Sequence, residues 1–215
     1  MHLYFHVEQA QWQVLSPEEQ LEAKTELTRL IQEIRSQPDT LLLTFSVVTP
    51  KADIGFLLLT PCLHDVNTFE KQIANSLGPE ILVPTYSFLS THQTGNGKPP
   101  EFPDWPILCF YAANMRRSDA HNWYELAPEK QQKLVMEELS LMKRWDGMVE
   151  RFSTQGVGID DAEHAVTLFA QSTVDIQDVM SQIRSGALGA SFTEFGEFYI
   201  GLQLPLAELF RRLML

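Results

Sequence analysis

Two hydrophobic rhythms alternate along the chain, and they do so twice in the same order. Residues 5–15 show a loose alternation that predicts a strand. Residues 16–35 carry Leu21, Leu27, Leu30, Ile31 and Ile34 at helical spacing. Residues 41–48 and 52–59 are β-type runs joined by the turn Thr49-Pro50-Lys51. A helix follows over 66–77, stopped by Gly78-Pro79, and then a strand over 83–90. The second round places strands at 107–114, 149–153, 164–169 and 192–202, with helices at 127–145 and 174–183. Each half therefore reads β-α-β-β-α-β, the ferredoxin-like unit. The expected fold class is α+β: two ferredoxin-like halves of the dimeric α+β barrel type, helices on one face of each sheet, the free sheet faces packed on each other. The expected boundaries are 1–94 for the first half, 95–106 for a Gly/Pro-rich linker and 107–215 for the second half.

The halves also share letters. Trp12-Gln13-Val14-Leu15-Ser16-Pro17-Glu18-Glu19-Gln20 returns 111 residues later as Trp123-Tyr124-Glu125-Leu126-Ala127-Pro128-Glu129-Lys130-Gln131. Each copy opens a long helical pattern, with Pro at the first helical position and Ser16 as the N-cap of the first. The repeat supplies an internal reference: where the halves differ at a buried position, the fold did not demand the difference.

That reference singles out one acid. On a helical wheel with Leu134 at zero, Glu138 falls at about 40°, inside an apolar arc of Leu141, Trp145, Met142, Val135 and Leu139. Lys133, Glu137, Ser140 and Arg144 take the opposite side. The counterpart of Glu138 in the first half is Leu27. A lone buried carboxylate costs several kcal/mol or more unless it is paired, protonated or metal-bound. Two readings stay open: an acid hydrogen-bonded to backbone or to a core arginine, or an acid pointing into a ligand cavity.

Composition narrows the partners. Twenty-eight acids against 16 bases give a formal net charge of −12, which argues against nucleic acid or an anionic membrane surface. No apolar run has transmembrane length and the start resembles no signal peptide, so no membrane insertion is expected. Cys62 and Cys109 lack metal spacing and read as reduced core thiols of a cytoplasmic protein. None of the six histidines pair at ligand spacing. Asp160-Asp161 reads as part of a tight turn after Gly156 and Gly158.

Several short segments, in order along nearly the whole chain, carry a resemblance. They are Lys51-Ala52-Asp53-Ile54-Gly55-Phe56, Val83-Pro84-Thr85-Tyr86-Ser87, Cys109-Phe110-Tyr111 followed by Arg116-Arg117, and Asn122-Trp123-Tyr124. Gly156-Val157-Gly158-Ile159-Asp160-Asp161, Val166-Thr167-Leu168-Phe169-Ala170 and Phe195-Gly196-Glu197-Phe198-Tyr199 complete the set. Together they resemble the chlorite dismutase superfamily, most closely its peroxide-dependent coproheme decarboxylases. The resemblance implies a haem b or coproheme cofactor with its iron in the second half, hydrogen peroxide as co-substrate, oxidative decarboxylation of ring propionates, and a homo-oligomer, often a pentamer. It implies that Tyr111 is the redox-active tyrosine and Arg151 the distal polar group. Lys98, Arg116 or Arg117 would lie near propionates. The ring would sit between the second sheet and the helix at 127–145, with Trp145 among its contacts.

The same resemblance exposes departures. The family's iron-ligating histidine falls at Glu138, which makes that acid the candidate metal ligand and proximal group. No histidine lies between Asn122 and Glu163. Met115 stands where many decarboxylases have lysine, and Gly189 lies near a family serine that touches a propionate. Arg151 has an alternative role as an ion-pair partner, for instance of Glu163; His164 stands where relatives have a core tryptophan. The competing function is a degenerate, non-catalytic member that serves as a porphyrin-binding or assembly subunit.

Overall fold

A computed structural model describes residues 1–93 and 98–215. Residues 94–97, where the expected first half ends and the linker starts, lie outside the described residues. Residues 1–89, 93, 98–101 and 200–215 form one compact unit; residues 90–92 and 102–199 form the other.

The first unit contains β1 (His2–Val7), α1 (Gln9–Val14), α2 (Pro17–Arg35), β2 (Leu41–Val47), β3 (Ile54–Leu59), α3 (Leu63–Asn75) and β4 (Leu82–Phe88). The second contains β5 (Ile107–Met115), a two-rung ribbon of β6 (Arg117–Ser118) and β7 (His121–Asn122), then α4 (Pro128–Met142) and β8 (Val149–Gln155). It continues with β9 (His164–Ala170), α5 (Thr173–Ser185), α6 (Ala187–Phe192) and β10 (Thr193–Gln203). The end of β10 pairs with β2 in the first unit, where α7 (Leu206–Arg212) also belongs. In the first unit the strand order is β4-β1-β3-β2; in the second it is β10-β5-β9-β8. Counted within each half, both orders are 4-1-3-2, the antiparallel ferredoxin-like arrangement that the repeated hydrophobic pattern predicts.

The repeated Trp, Leu and Gln have a shared backbone purpose. Gln20 Nε2 donates to the Trp12 carbonyl at 3.0 Å, and Gln131 Nε2 donates to the Trp123 carbonyl at 2.8 Å. The Leu15 and Leu126 amides donate to the same two carbonyls. Each long helix is thus tied back to the segment that precedes it. Ser16 closes a capping box with Glu19, and Pro17 and Pro128 stand in the first turns, where no amide is needed.

In the first unit, Leu3, Phe5 and Val7 of β1 and Ile54, Phe56 and Leu58 of β3 meet Leu27, Leu30, Ile31 and Ile34 of α2 and Phe69 and Ile73 of α3. Four expectations are corrected. Residues 9–14 are helix, not strand; the glutamines between Ala10, Trp12 and Val14 imitate an alternation, while one short turn suffices to bury Trp12. Leu21 is 65% exposed, because it lies in the second turn of α2, ahead of the buried run that starts at Leu27. The strand expected from 192 starts at Thr193, after the unforeseen α6. Cys62 is exposed just before α3, whereas Cys109 is buried in β5.

Candidate functional site

Position on the sheet comes first. In the second unit Cys109, Leu168 and Arg151 are cross-strand partners on β5, β9 and β8; Tyr111, Val166 and Ser153 form the next row. Residues opposite one another, and residues two apart, share a sheet face. Arg151, Ser153, Cys109 and Tyr111 therefore stand on one face. Glu138 reaches that face from α4: Arg151 Nη1 donates to Glu138 Oε1 at 2.7 Å, and Arg151 Nε donates to Ser153 Oγ at 3.1 Å. Glu138 is 9% exposed, and the Arg151 side chain is 18% exposed. The arginine named for one side of a ring and the acid named for the other are bonded directly to each other.

Tyr111 is 2% exposed on β5, stacked on Phe198 with ring centroids 4.9 Å apart and flanked by Phe195 at 5.7 Å. Burial raises its hydroxyl well above the usual tyrosine range; the charge of Arg151 opposes that rise and Glu138 adds to it. Burial also lowers the His164 imidazole, with Arg151 the next cause. Tyr111 and His164 thus each lie within electrostatic reach of Arg151 and Glu138. Burial pushes the Cys109 thiol up to about 12, so it is an inert core thiol at neutral pH.

The remaining expected residues separate. Lys98 belongs to the first unit, the other five to the second. Arg116 spends its guanidinium on backbone and on Glu194, donating to the Ser191 carbonyl at 3.0 Å and to the Ala190 and Thr193 carbonyls at 3.4 Å, with Nε 3.7 Å from the Glu194 carboxylate. It holds the end of α6. Trp145 ends the 3₁₀ turn after α4, on the helix face of Glu138; its Nε1 is buried with no acceptor among the described residues. A ligand carboxylate would satisfy that donor.

Glu163 does not pair with Arg151. It pairs with Arg117, accepts from the Tyr124 hydroxyl at 2.5 Å and accepts from the Met115 amide at 2.8 Å. The Met115 side chain packs against Leu134, Leu188 and Phe192. A Cβ at Gly189 would lie 2.0 Å from the Ile183 carbonyl oxygen, so the close α5–α6 turn demands glycine there. Sequence reasoning missed Ser153 as the second partner of Arg151, although the spacing of two along β8 was a usable signal.

A hollow of about 600 Å³ touches Glu138, but its walls come from α4, the turn after it, α5 and the start of α6. No strand residue lines it. A second hollow of about 510 Å³ lies at the turn 157–163 and the ends of β5 and β10. Among the described residues no group of three or more His, Cys, Asp and Glu side chains is placed to hold a metal ion. No described helix is long and apolar enough to cross a membrane.

Two ferredoxin-like units, the second with a buried tyrosine and an acid–arginine pair between helix and sheet, define an α+β class. The chlorite dismutase family model matches residues 20–204, and the chain belongs to that family. It is 28% identical to a coproheme decarboxylase of Staphylococcus carnosus over 95% of this chain and 91% of that one. It is 32% identical to the coproheme decarboxylase of Staphylococcus saprophyticus over 73% and 70%. Among solved structures it is similar to a heme-binding protein from Thermus thermophilus, with TM-score 0.90, 27% identity and coverage of 100% and 94%. A chlorite dismutase from Candidatus Nitrospira defluvii shares the fold with TM-score 0.85 at 15% identity, over 100% and 94% of the two chains.

The residues present do not fit an iron tetrapyrrole in the expected place. Non-bonded atoms approach a flat ring to about 3.5 Å, so a group on the far side stands at least that far from the ring plane and further still from a ligand on the near side. Glu138 and Arg151 are 2.7 Å apart. The carboxylate that would ligate iron is already satisfied by a guanidinium.

Proposed function

We propose that this chain is a non-catalytic member of the haem-related family, an assembly or partner subunit and not a peroxide-dependent decarboxylase. The single observation that supports it is the bond between Glu138 and Arg151. An imidazole at position 138 would be a neutral ligand with a lone pair to give. The acid there has a cation instead, and the pair lies between α4 and the sheet face. Exposed Val135, Met136 and Leu139 on α4 add apolar surface of the kind that marks contact with other chains. The homo-oligomer implied by the family, often a pentamer, is the form in which such a subunit would act.

The test is a visible spectrum. Ferric coproporphyrin mixed with the purified protein gives no Soret shift, and added peroxide gives no decarboxylated product, under conditions where the Staphylococcus carnosus relative turns over. Mass in solution above that of one chain supports the assembly role. A decarboxylated product overturns the reading. Coproheme decarboxylation remains the second reading, favoured by Tyr111 on its strand and by the free indole donor of Trp145.

A further inference from the structure

Glu138 and Arg151 differ from an ordinary ion pair in what holds each of them. Glu138 projects from the third turn of α4, and its helix is tied back through Gln131 to the Trp123 carbonyl. Arg151 is pinned on β8 by the Ser153 hydroxyl as well as by the acid. Neither side chain can swing aside without leaving a largely buried charge uncompensated. The bond crosses from helix to sheet, the direction in which a flat ring would need its clearance.

We propose that Glu138 and Arg151 form a strut that sets the spacing between α4 and β8 and excludes a tetrapyrrole, so that the two positions together determine what this pocket accepts. The proposal rests on the non-catalytic reading and goes further, because it makes exclusion a property of the pair. With imidazole at 138 alone the strut is broken and a ligating side chain stands on the helix, but Arg151 is left charged and without its partner. With a neutral side chain at 151 alone, the acid would be stranded. A change at both positions removes both charges and leaves a ligating side chain on the helix.

Four proteins test this: the parent, Glu138→His, Arg151→Gln and the double variant, each titrated with ferric coproporphyrin and followed by the Soret band and by thermal unfolding without ring. The parent shows no shift. Both variants that carry Glu138→His bind the ring, and Arg151→Gln, which leaves the acid in place, binds at least tenfold more weakly than the double variant. Each single variant lowers the unfolding midpoint, and the double variant lowers it by less than their sum. The swapped pair Glu138→Arg/Arg151→Glu keeps the strut and still excludes the ring. If the His/Gln variant fails to fold, Glu138→Gln/Arg151→Gln carries the same test with metal-free coproporphyrin by fluorescence quenching; binding supports the strut and its absence overturns it. A folded double variant that stays silent beside a silent parent overturns the strut and leaves the non-catalytic reading standing. A Soret shift in the parent, or a swapped pair that binds ring, overturns the strut. Decarboxylated product from the parent overturns the reading as well.

Discussion

The two halves fill the same helix position in opposite ways. In the first, Leu27 of α2 has no exposure and sits among Phe56, Phe69 and Ile31. In the second, Glu138 of α4 is nearly as buried but bonded to Arg151. Strand order, helix entry and the glutamine–carbonyl tie are shared. The fold therefore tolerates either a hydrocarbon or an ion pair between helix and sheet. What it cannot tolerate is half of a pair, since a charge taken out of water needs its partner and its hydrogen bonds.

The most severe way to break this comparison is to put the acid of the second half into the first. Leu27→Glu places a carboxylate among leucine, isoleucine and phenylalanine with no arginine facing it. The expected loss is more than about 4 kcal/mol, enough to unfold much of the unit. Urea unfolding of the variant checks it. A loss under about 1 kcal/mol would mean that the first half can supply a partner and that the asymmetry is superficial.

The converse exchange is milder and more informative. Glu138→Leu copies the first half but strands Arg151, at an expected loss of about 3 kcal/mol. Glu138→Leu with Arg151→Met removes both charges; it is expected to restore stability to within about 1 kcal/mol of the parent or to exceed it. If the double variant is no better than the single, Arg151 is stabilised by Ser153 and the sheet and not by the acid.

How much of this was legible beforehand follows from the same residues. The doubled pattern and the Trp–Gln repeat carried the order of elements, because strand and helix periods persist over long windows. The wheel carried the burial of Glu138 beside Leu134 and Met142 but not the edge of the arc, since Val135 and Leu139, which it placed inside, are exposed. Its partner was out of reach. Arg151 lies on another element, and its choice between Glu138 and Glu163 depends on how α4 crosses the sheet. Glu163 was already taken by Arg117, Tyr124 and the Met115 amide, three contacts from three segments. The short helices α1, α6 and α7 escaped because six or seven residues are too few to display a period. Gly189 looked like a lost serine, but its cause is the approach of the Ile183 carbonyl.

Acid sharpens the comparison from another side, since each unit holds a histidine that burial keeps neutral. His2 in β1 has its imidazole lowered well below the ordinary range by burial, and by the N-terminal charge next; His164 in β9 is lowered by burial and then by Arg151. An unfolded imidazole titrates near about 6.5. Below that pH the unfolded chain takes up protons before the folded one does, so stability present above about 6.5 is lost as the pH falls. Denaturant unfolding followed from about one pH unit above that value to about one and a half below it shows a downward slope on acidification. His2→Leu flattens the slope more than His164→Leu, because burial is the more complete at His2. The opposite ranking would place the acid-sensitive contact in the second unit, and an equal one would divide it between the two.

The smallest expected effect concerns the helix entries, where the halves match in backbone and differ in side chain. Ser16 has φ −63° and ψ 157°, and Ala127 has φ −57° and ψ 140°. Both are extended, as an N-cap must be, and both precede proline. Only Ser16 has a hydroxyl for the Glu19 amide, and Glu19 answers by accepting from the Ser16 amide. The third position of α4 is Lys130, which cannot answer. Ser16→Ala is expected to cost about 1 kcal/mol, while Ala127→Ser gains up to about 1 kcal/mol because the backbone already stands in cap geometry. Adding Lys130→Glu completes the box and removes a cation from the positive end of the helix, for a further gain of about 0.5 kcal/mol. Unfolding midpoints of the three variants in urea decide it. No gain from Ala127→Ser would mean that the Gln131 tie to the Trp123 carbonyl alone fixes the start of α4, and that the cap in the first half is a local addition to the repeat.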